Sequence, residues 1–198
     1  DGRNAKDPPL FIAADQEGST VSRFQFLKEL TGQRDIADSA RATAVARARA
    51  SELAGLGVNI NFAPVLDIAS SSADFIFSRT FPGDAAQVAA LGTAMIRGYQ
   101  EAGVIATAKH FPGHGGTAID SHKNLPTVSR RAETQAVALL PFRAAVMAGV
   151  PMIMVGHIKV PEIDDKYPAS LSPAAMHILR SDMGFNGVII TDDLGMGA

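Results

Sequence analysis

The chain contains no cysteine, which excludes disulfides and thiolate metal sites and leaves either redox compartment open. No apolar run approaches the ~20 residues that a membrane-spanning helix needs, and no stretch reads as a signal peptide. Charge of one sign is not in excess. Eighteen Lys and Arg stand against twenty Asp and Glu, a net charge of −2, so no basic field for nucleic acid is present. Gly-x-Ser-x-Gly is missing, and with it the usual nucleophile elbow. Neither common glycine-rich phosphate loop occurs, and neither HExxH nor a zinc-finger spacing is found. Low-complexity segments and sequence repeats are also absent.

What is present suits one globular domain: 198 residues, 46% apolar and 19% charged, enough for a sizeable core. The chain opens on Asp1 rather than Met and stops after Ala198, so the expectation is the central piece of a longer protein. The cytoplasm is the favoured compartment, with the periplasm or cell envelope as the alternative.

Apolar runs at residues 10–14, 58–66, 104–108, 151–156 and 187–191 read as strands. Helical stretches separate them. Asp38-Ser39 caps a helix to Leu56, which Gly57 stops, and Asp84 caps another that Gly103 stops. Residues 129–148 are helical, with Pro141 expected to kink or divide them. Ser172-Pro173 opens a last helix to about Met183. Residues 19–37 are expected to be loop with a short helix. Strands written as continuous apolar runs and alternating with helices predict a parallel sheet covered by helices.

Each predicted strand ends on a chemically capable residue: Asp15, Asp67, Lys109-His110, His157 and Asp192. In a (β/α)₈ barrel all such ends share the face that holds the active site. A doubly wound open sheet also binds ligands at strand ends, but near one switch point. Function spread over five ends favours a TIM barrel. A whole barrel takes about 250 residues, so five β/α units of eight are expected here.

The densest chemistry lies in residues 109–122, Lys-His-Phe-Pro-Gly-His-Gly-Gly-Thr-Ala-Ile-Asp-Ser-His. A glycine-rich loop with three histidines makes poor core, and loops over rigid scaffolds are where function sits. Asp120 and His122 are two residues apart. A carboxylate beside an imidazole fixes its orientation and favours the protonated ring, which suits general acid/base work near neutral pH. His114, flanked by glycines, reads as loop-shaping. The plain alternatives are a satisfied strand-end histidine at His110 and incidental surface charge at Asp120. A metal held by His110, His114, Asp120 and His122 is the chemical rival, but Pro112 and the glycines preorganise it poorly; no metal and no cofactor is expected. Asp192-Asp193 pairs two carboxylates that repel, which is unusual as pure structure. Asp67 after Pro64 also suits a turn, His157 reads as lining the mouth, and Arg23 and Arg79 lie in loops on the same face.

Lys109-His110-Phe111-Pro112-Gly113-His114-Gly115, followed after four residues by Asp120-Ser121-His122, resembles the signature of family 3 glycoside hydrolases of the β-N-acetylglucosaminidase type. Other segments agree in order. They are Asp15-Gln16-Glu17-Gly18 with Val21 and Arg23, Asn61 to Asp67, Arg79-Thr80-Phe81 with Gly83-Asp84, and Gly184 to Leu194 with Met196. The family usually carries glycine where this chain has Ser19, and nothing is carried over for residues 24–40.

The resemblance implies that residues 1–198 are the central part of one catalytic barrel, its third to seventh strands. It implies Asp192 as nucleophile and His122 as general acid/base with Asp120 as its partner. Asp15, Arg23, Arg79, Lys109 and His110 would bind N-acetylglucosamine. The expected activity is retaining exo-hydrolysis of small N-acetylglucosaminides, muropeptide-like or chitin-type. A phosphorylase or a β-glucosidase of the same family is the enzyme alternative, and a degenerate sugar-binding scaffold the non-enzyme one. The oligomeric state is left unassigned.

Overall fold

The computed structural model describes residues 10–69 and 71–196. In chain order it contains β1 (Ala13–Ala14), a hairpin of β2 (Gln16–Gly18) and β3 (Val21–Ser22), α1 (Ser39–Gly55), β4 (Ile60–Asn61), α2 (Ala85–Glu101), β5 (Ile105–Phe111), α3 (Ala132–Met147), β6 (Met152–Val155), α4 (Pro173–His177) and β7 (Val188–Thr191). The helix caps are where the sequence puts them. Asp38 accepts the Arg41 N–H at 2.8 Å, Asp84 that of Gln87 at 3.0 Å, and Ser172 that of Ala175 at 3.1 Å, each satisfying a donor the helix cannot.

Strands β1, β4, β5, β6 and β7 form one sheet in that order, every pair parallel. The order never reverses, so there is no switch point of the doubly wound kind. Successive right-handed crossovers then lay all the helices on one side of the curling sheet. Helix α1 packs on α2, and α2 on α3. The closeness of the first pair rests on Gly98, where a Cβ would lie 2.8 Å from both Thr43 O and Ala46 Cβ. The result is a partial (β/α) barrel with five strands, as expected. Its main core lies between sheet and helices, with Phe111 and Phe142 meeting edge-on at 5.4 Å; each such fully buried ring contributes about 1.5–3 kcal/mol.

Several boundaries differ from the sequence expectation. The strand expected over 58–66 is regular only at Ile60–Asn61, with a further bridge at Val65. Phe62 N–H still donates to Ala14 O and Ala63 O still accepts from Thr107 N–H, each at 2.9 Å, whereas Pro64 offers no N–H to a ladder. Strand β5 runs on to Phe111, since the Lys109 N–H donates to Pro64 O at 3.1 Å and Phe111 pairs with Val155. Lys109 and His110 therefore belong to the strand rather than to the loop after it. Helix α3 starts at Ala132 and is not divided by Pro141; Leu139 and Phe142 on either side are both anchored in the core. Helix α4 is short and passes into a π-helical turn, Ile178–Asp182. The β2–β3 hairpin is not among the expected elements: β3 falls within residues 19–37, read as loop with a short helix, and β2 lies just before them. The hairpin is tied down by the buried Arg49, whose Nη1 donates to Glu17 O at 2.7 Å and Nη2 to Thr31 O at 2.6 Å. Edge strand β7 leaves Val188 half exposed.

Candidate active site

At the C-terminal ends of the strands, Asp15, Arg23, Arg79, Lys109, His110, His122 and Asp192 line one cavity of about 260 Å³, together with Ser22, His114, Ser121 and Asp193. Residues up to 178 positions apart in sequence thus converge because the sheet is parallel and its strand ends are adjacent.

The floor is a closed set of ion pairs. Lys109, 1% exposed, reaches Asp15 Oδ1 at 2.7 Å and Glu17 Oε1 at 2.6 Å. Arg79 donates to the same Glu17 carboxylate from Nε at 2.9 Å and from Nη2 at 2.7 Å. Burial alone would raise the Glu17 carboxyl, but Lys109 and Arg79 outweigh it and hold it at about 2. Arg79 is likewise raised, Glu17 overcoming the opposing effect of burial. At the rim Arg23 stands 3.6 Å from the other Asp15 oxygen.

Asp67 lies one layer deeper and does not line the cavity. Its Oδ2 is 2.7 Å from His110 Nδ1, and its Oδ1 accepts the His114 backbone N–H at 2.6 Å. Burial pushes this carboxyl up, yet His110 and His114 together bring it below the usual range. An ionised Asp67 accepts from His110 Nδ1, and His110 Nε2 lies 3.3 Å from Arg79 Nη2. That imidazole is held at both nitrogens.

Asp192 follows β7, its N–H donating to Val155 O at 3.0 Å. Its Oδ1 accepts from the Asp193 N–H at 2.9 Å, and Oδ2 lies 3.9 Å from His110 Nε2. Burial would raise this carboxyl; the nearby His110, the Asp193 N–H and Lys109 bring it below its ordinary value. Across the cavity His122 sits on the loop after β5. Its Nδ1 is 2.9 Å from Asp120 Oδ1, and its ring lies edge-on to Phe75 at 6.1 Å. Slight burial works upward on Asp120, but the backbone and ring of His122 hold it below the usual range. The Asp120 carboxylate accepts from Nδ1–H and leaves Nε2 of His122 for other partners.

Two further expected residues, His157 and Met196, stand back from the cavity wall. His157 bonds Ser170 Oγ at 2.7 Å and Asp193 O at 3.2 Å, bracing the segment after β7. Met196 contributes its backbone N–H to Asp193 O at 3.1 Å. His114 shapes the loop through its N–H, and burial lowers its imidazole, leaving it neutral. Among the described residues no three of His, Asp or Glu are grouped to hold a metal ion, so the loop's four candidate ligands do not converge.

The chain matches the family described as "Glycosyl hydrolase family 3 N terminal domain" over residues 2–198. It belongs to glycosyl hydrolase family 3. A β-hexosaminidase of Tolumonas auensis is 40% identical over 98% of this chain and 60% of its own length. Beta-hexosaminidase A of Pseudoalteromonas piscicida is 38% identical over 95% of this chain and 35% of its own. Among solved structures, a glycoside hydrolase family 3 β-N-acetylglucosaminidase from Paenibacillus sp. superposes with a TM-score of 0.88 at 41% identity, over 96% of this chain and 38% of that one. The chain thus spans between about a third and three fifths of the length of these relatives.

Ser19, at which the resemblance leads to an expectation of glycine, adopts a left-handed backbone with φ 52°, held by its N–H on Leu30 O at 2.8 Å. Glu17 is the site residue that sequence reading passed over. The available signal was its spacing, two residues after Asp15 and hence on the same side of an extended chain. Ser22 and Ser121 gave no comparable signal.

Proposed function

We propose that this domain is the central part of the catalytic barrel of a retaining exo-β-N-acetylglucosaminidase. It removes terminal β-linked N-acetylglucosamine from small sugars of peptidoglycan or chitin type, in the cytoplasm, with the periplasm or cell envelope as the alternative compartment. The observation that carries the reading is a division among the carboxylates at the cavity. Asp15 and Glu17 are consumed by Lys109 and Arg79, and Asp67 by His110 and His114. Asp193 accepts the Gly195 N–H at 2.8 Å. Asp192 keeps Oδ2 free of any closer partner than 3.9 Å among the described residues, and it is held ionised.

A retaining mechanism needs a nucleophile and an acid that later serves as base. Asp192 Oδ2 attacks the anomeric carbon as the glycosidic C–O bond breaks, and His122 Nε2 gives the leaving oxygen its proton. Water then attacks the glycosyl-enzyme ester. His122 Nε2 takes its proton and Asp192 is released. Asp120 holds the imidazole in the required tautomer and stabilises the imidazolium, the work a buried aspartate does for histidine in hydrolytic triads. Lys109, Arg79 and Arg23 present donors to sugar hydroxyls, while Asp15 Oδ2, which Lys109 does not hold, presents an acceptor.

The test is release of p-nitrophenol from its β-N-acetylglucosaminide and its β-glucoside, with and without phosphate. The reading expects turnover of the first, indifferent to phosphate. Phosphate-dependent turnover yielding sugar 1-phosphate would replace hydrolase by phosphorylase, and preference for glucose would replace the sugar.

A further inference from the structure

The loop that carries His122 leaves β5 and returns to α3, and its two stems are joined by one side chain. Arg130, on the returning stem, donates from Nη2 to the carbonyls of Gly113, at 3.0 Å, and Gly115 on the outgoing stem. Its Nη1 donates to Gln135 Oε1 at 3.2 Å. Its own backbone is fixed by Glu162, whose Oε1 accepts the Arg130 N–H at 3.0 Å and the Ser129 hydroxyl at 2.6 Å. An arginine usually spends its charge on a carboxylate or on water. This guanidinium is partly buried and makes no ion pair among the described residues; its donors go to the Gly113 and Gly115 carbonyls and to the Gln135 amide oxygen.

The other side of the outgoing stem is held equally firmly. Asp67 takes the His114 N–H at 2.6 Å, Asp74 takes the Gly116 N–H at 3.1 Å, and the Phe75 N–H donates to Thr117 O at 3.0 Å. Beyond Thr117 the character changes. Residues 118–124 are held chiefly by bonds among themselves, such as the Lys123 and Asn124 N–H groups on Asp120 O, and by the Phe75 ring beside His122. The chain is pinned again where Lys159 N–H meets Pro126 O at 2.9 Å and Val128 N–H meets Lys159 O at 2.8 Å. His122 thus rides on an exposed arm whose two roots have fixed positions, and Arg130 spans the roots.

We infer that Arg130 is a positioning residue: by clasping the Gly113 and Gly115 carbonyls it sets the separation of the stems and so the place from which His122 reaches the leaving group. The inference rests on the reading of His122 as acid/base. It assigns Arg130 no contact with substrate.

The experiment compares kcat/KM on a p-nitrophenyl β-N-acetylglucosaminide with that on a β-linked disaccharide, in the full chain, for wild type, Arg130→Met, Arg130→Lys, His122→Ala and the Arg130→Met/His122→Ala double variant. The activated aryl group leaves with little help from an acid; the sugar does not. Arg130→Met is expected to cost about 10²-fold on the disaccharide, as a misplaced catalytic group does. Its loss on the aryl substrate should stay within about 3-fold. Arg130→Lys should recover part of the difference, and the double variant should be no worse than His122→Ala. Equal losses on both substrates, or full additivity, would overturn the positioning role in favour of a merely structural one.

Should Arg130→Met fail to fold, Gln135→Leu removes only the brace on Nη1 and must move the same ratio in the same direction; an unchanged ratio also overturns the proposal. Hydrogen exchange separates this from failure of the acid/base reading. Arg130→Met should speed exchange in residues 118–124 and leave β5 protected whatever His122 does. Equal losses in His122→Ala, by contrast, sink the role of His122 alone.

Discussion

Glu17 and Arg79 meet in a two-pronged ion pair across 62 residues of sequence, with Nε and Nη2 each on its own carboxylate oxygen. Lys109 Nζ adds a second cation 2.6 Å from the same carboxylate. Glu17 is therefore the keystone of the sugar-facing floor without being one of the residues expected to touch sugar. Removing one partner from a buried array leaves the others uncompensated, at a cost of about 3–5 kcal/mol.

The same array predicts a pH dependence of stability. The Glu17 carboxyl sits at about 2 in the folded chain against 4.5 ordinarily. A depressed carboxyl stabilises the fold fully above its unfolded value, and the benefit is lost as pH falls from 4.5 through about 2. That displacement is worth about 3 kcal/mol at neutral pH. Urea unfolding should show wild-type stability falling across this acid window, and Glu17→Gln should start lower and lose the part of the slope that Glu17 supplies. An identical slope in both proteins would refute the assignment.

How far the sequence carried depended on the kind of interaction. Helix starts at Asp38, Asp84 and Ser172 were legible because a cap is local chemistry. The parallel order of strands was legible because continuous apolar runs alternated with helices. The strand limits around Pro64 and Lys109 were not, since they depend on which neighbour supplies the ladder. The hairpin at Gln16–Ser22 was hidden for the same reason: Arg49 and Asn61, the latter accepting the Gln16 N–H at 3.0 Å, hold it from 32 and more residues away. At the site, strand-end residues could be read from their position. Arg130 could not, and Glu17 only through its spacing from Asp15, because their importance lies in what they bind within the protein.

Asp192 is the carboxylate whose removal should stop the reaction without disturbing the floor. Asp192→Ala is expected to abolish turnover and to prevent covalent labelling by a 2-deoxy-2-fluoro glycoside or a 5-fluoro N-acetylglucosaminide. Intact-mass measurement after incubation reads the label directly. Because Oδ1 meets only the Asp193 N–H at the chain's edge strand, the variant should keep its melting temperature within a few degrees. Labelling at another carboxylate would move the nucleophile elsewhere.

Gly115 tests the outgoing stem from the opposite side to Arg130. A Cβ at this position would lie 1.8 Å from the Ile68 carbonyl oxygen, and neither partner is a flexible side chain that could turn away. Gly115→Ala must therefore push the stem off Asp67 and Arg130 together and carry His122 with it. A displacement of about 1 Å in a catalytic group costs up to 10²-fold, so kcat on a disaccharide should fall by that order while the Glu17 floor stays formed. Gly55→Ala is the matched control. It lies at the end of α1 with nothing within 4 Å of the added methyl, and an alanine there should be neutral for activity and gain about 0.4–1 kcal/mol. Wild-type kcat in Gly115→Ala, with Gly55→Ala behaving as stated, would mean that the arm finds its position from the Phe75 contact rather than from its roots.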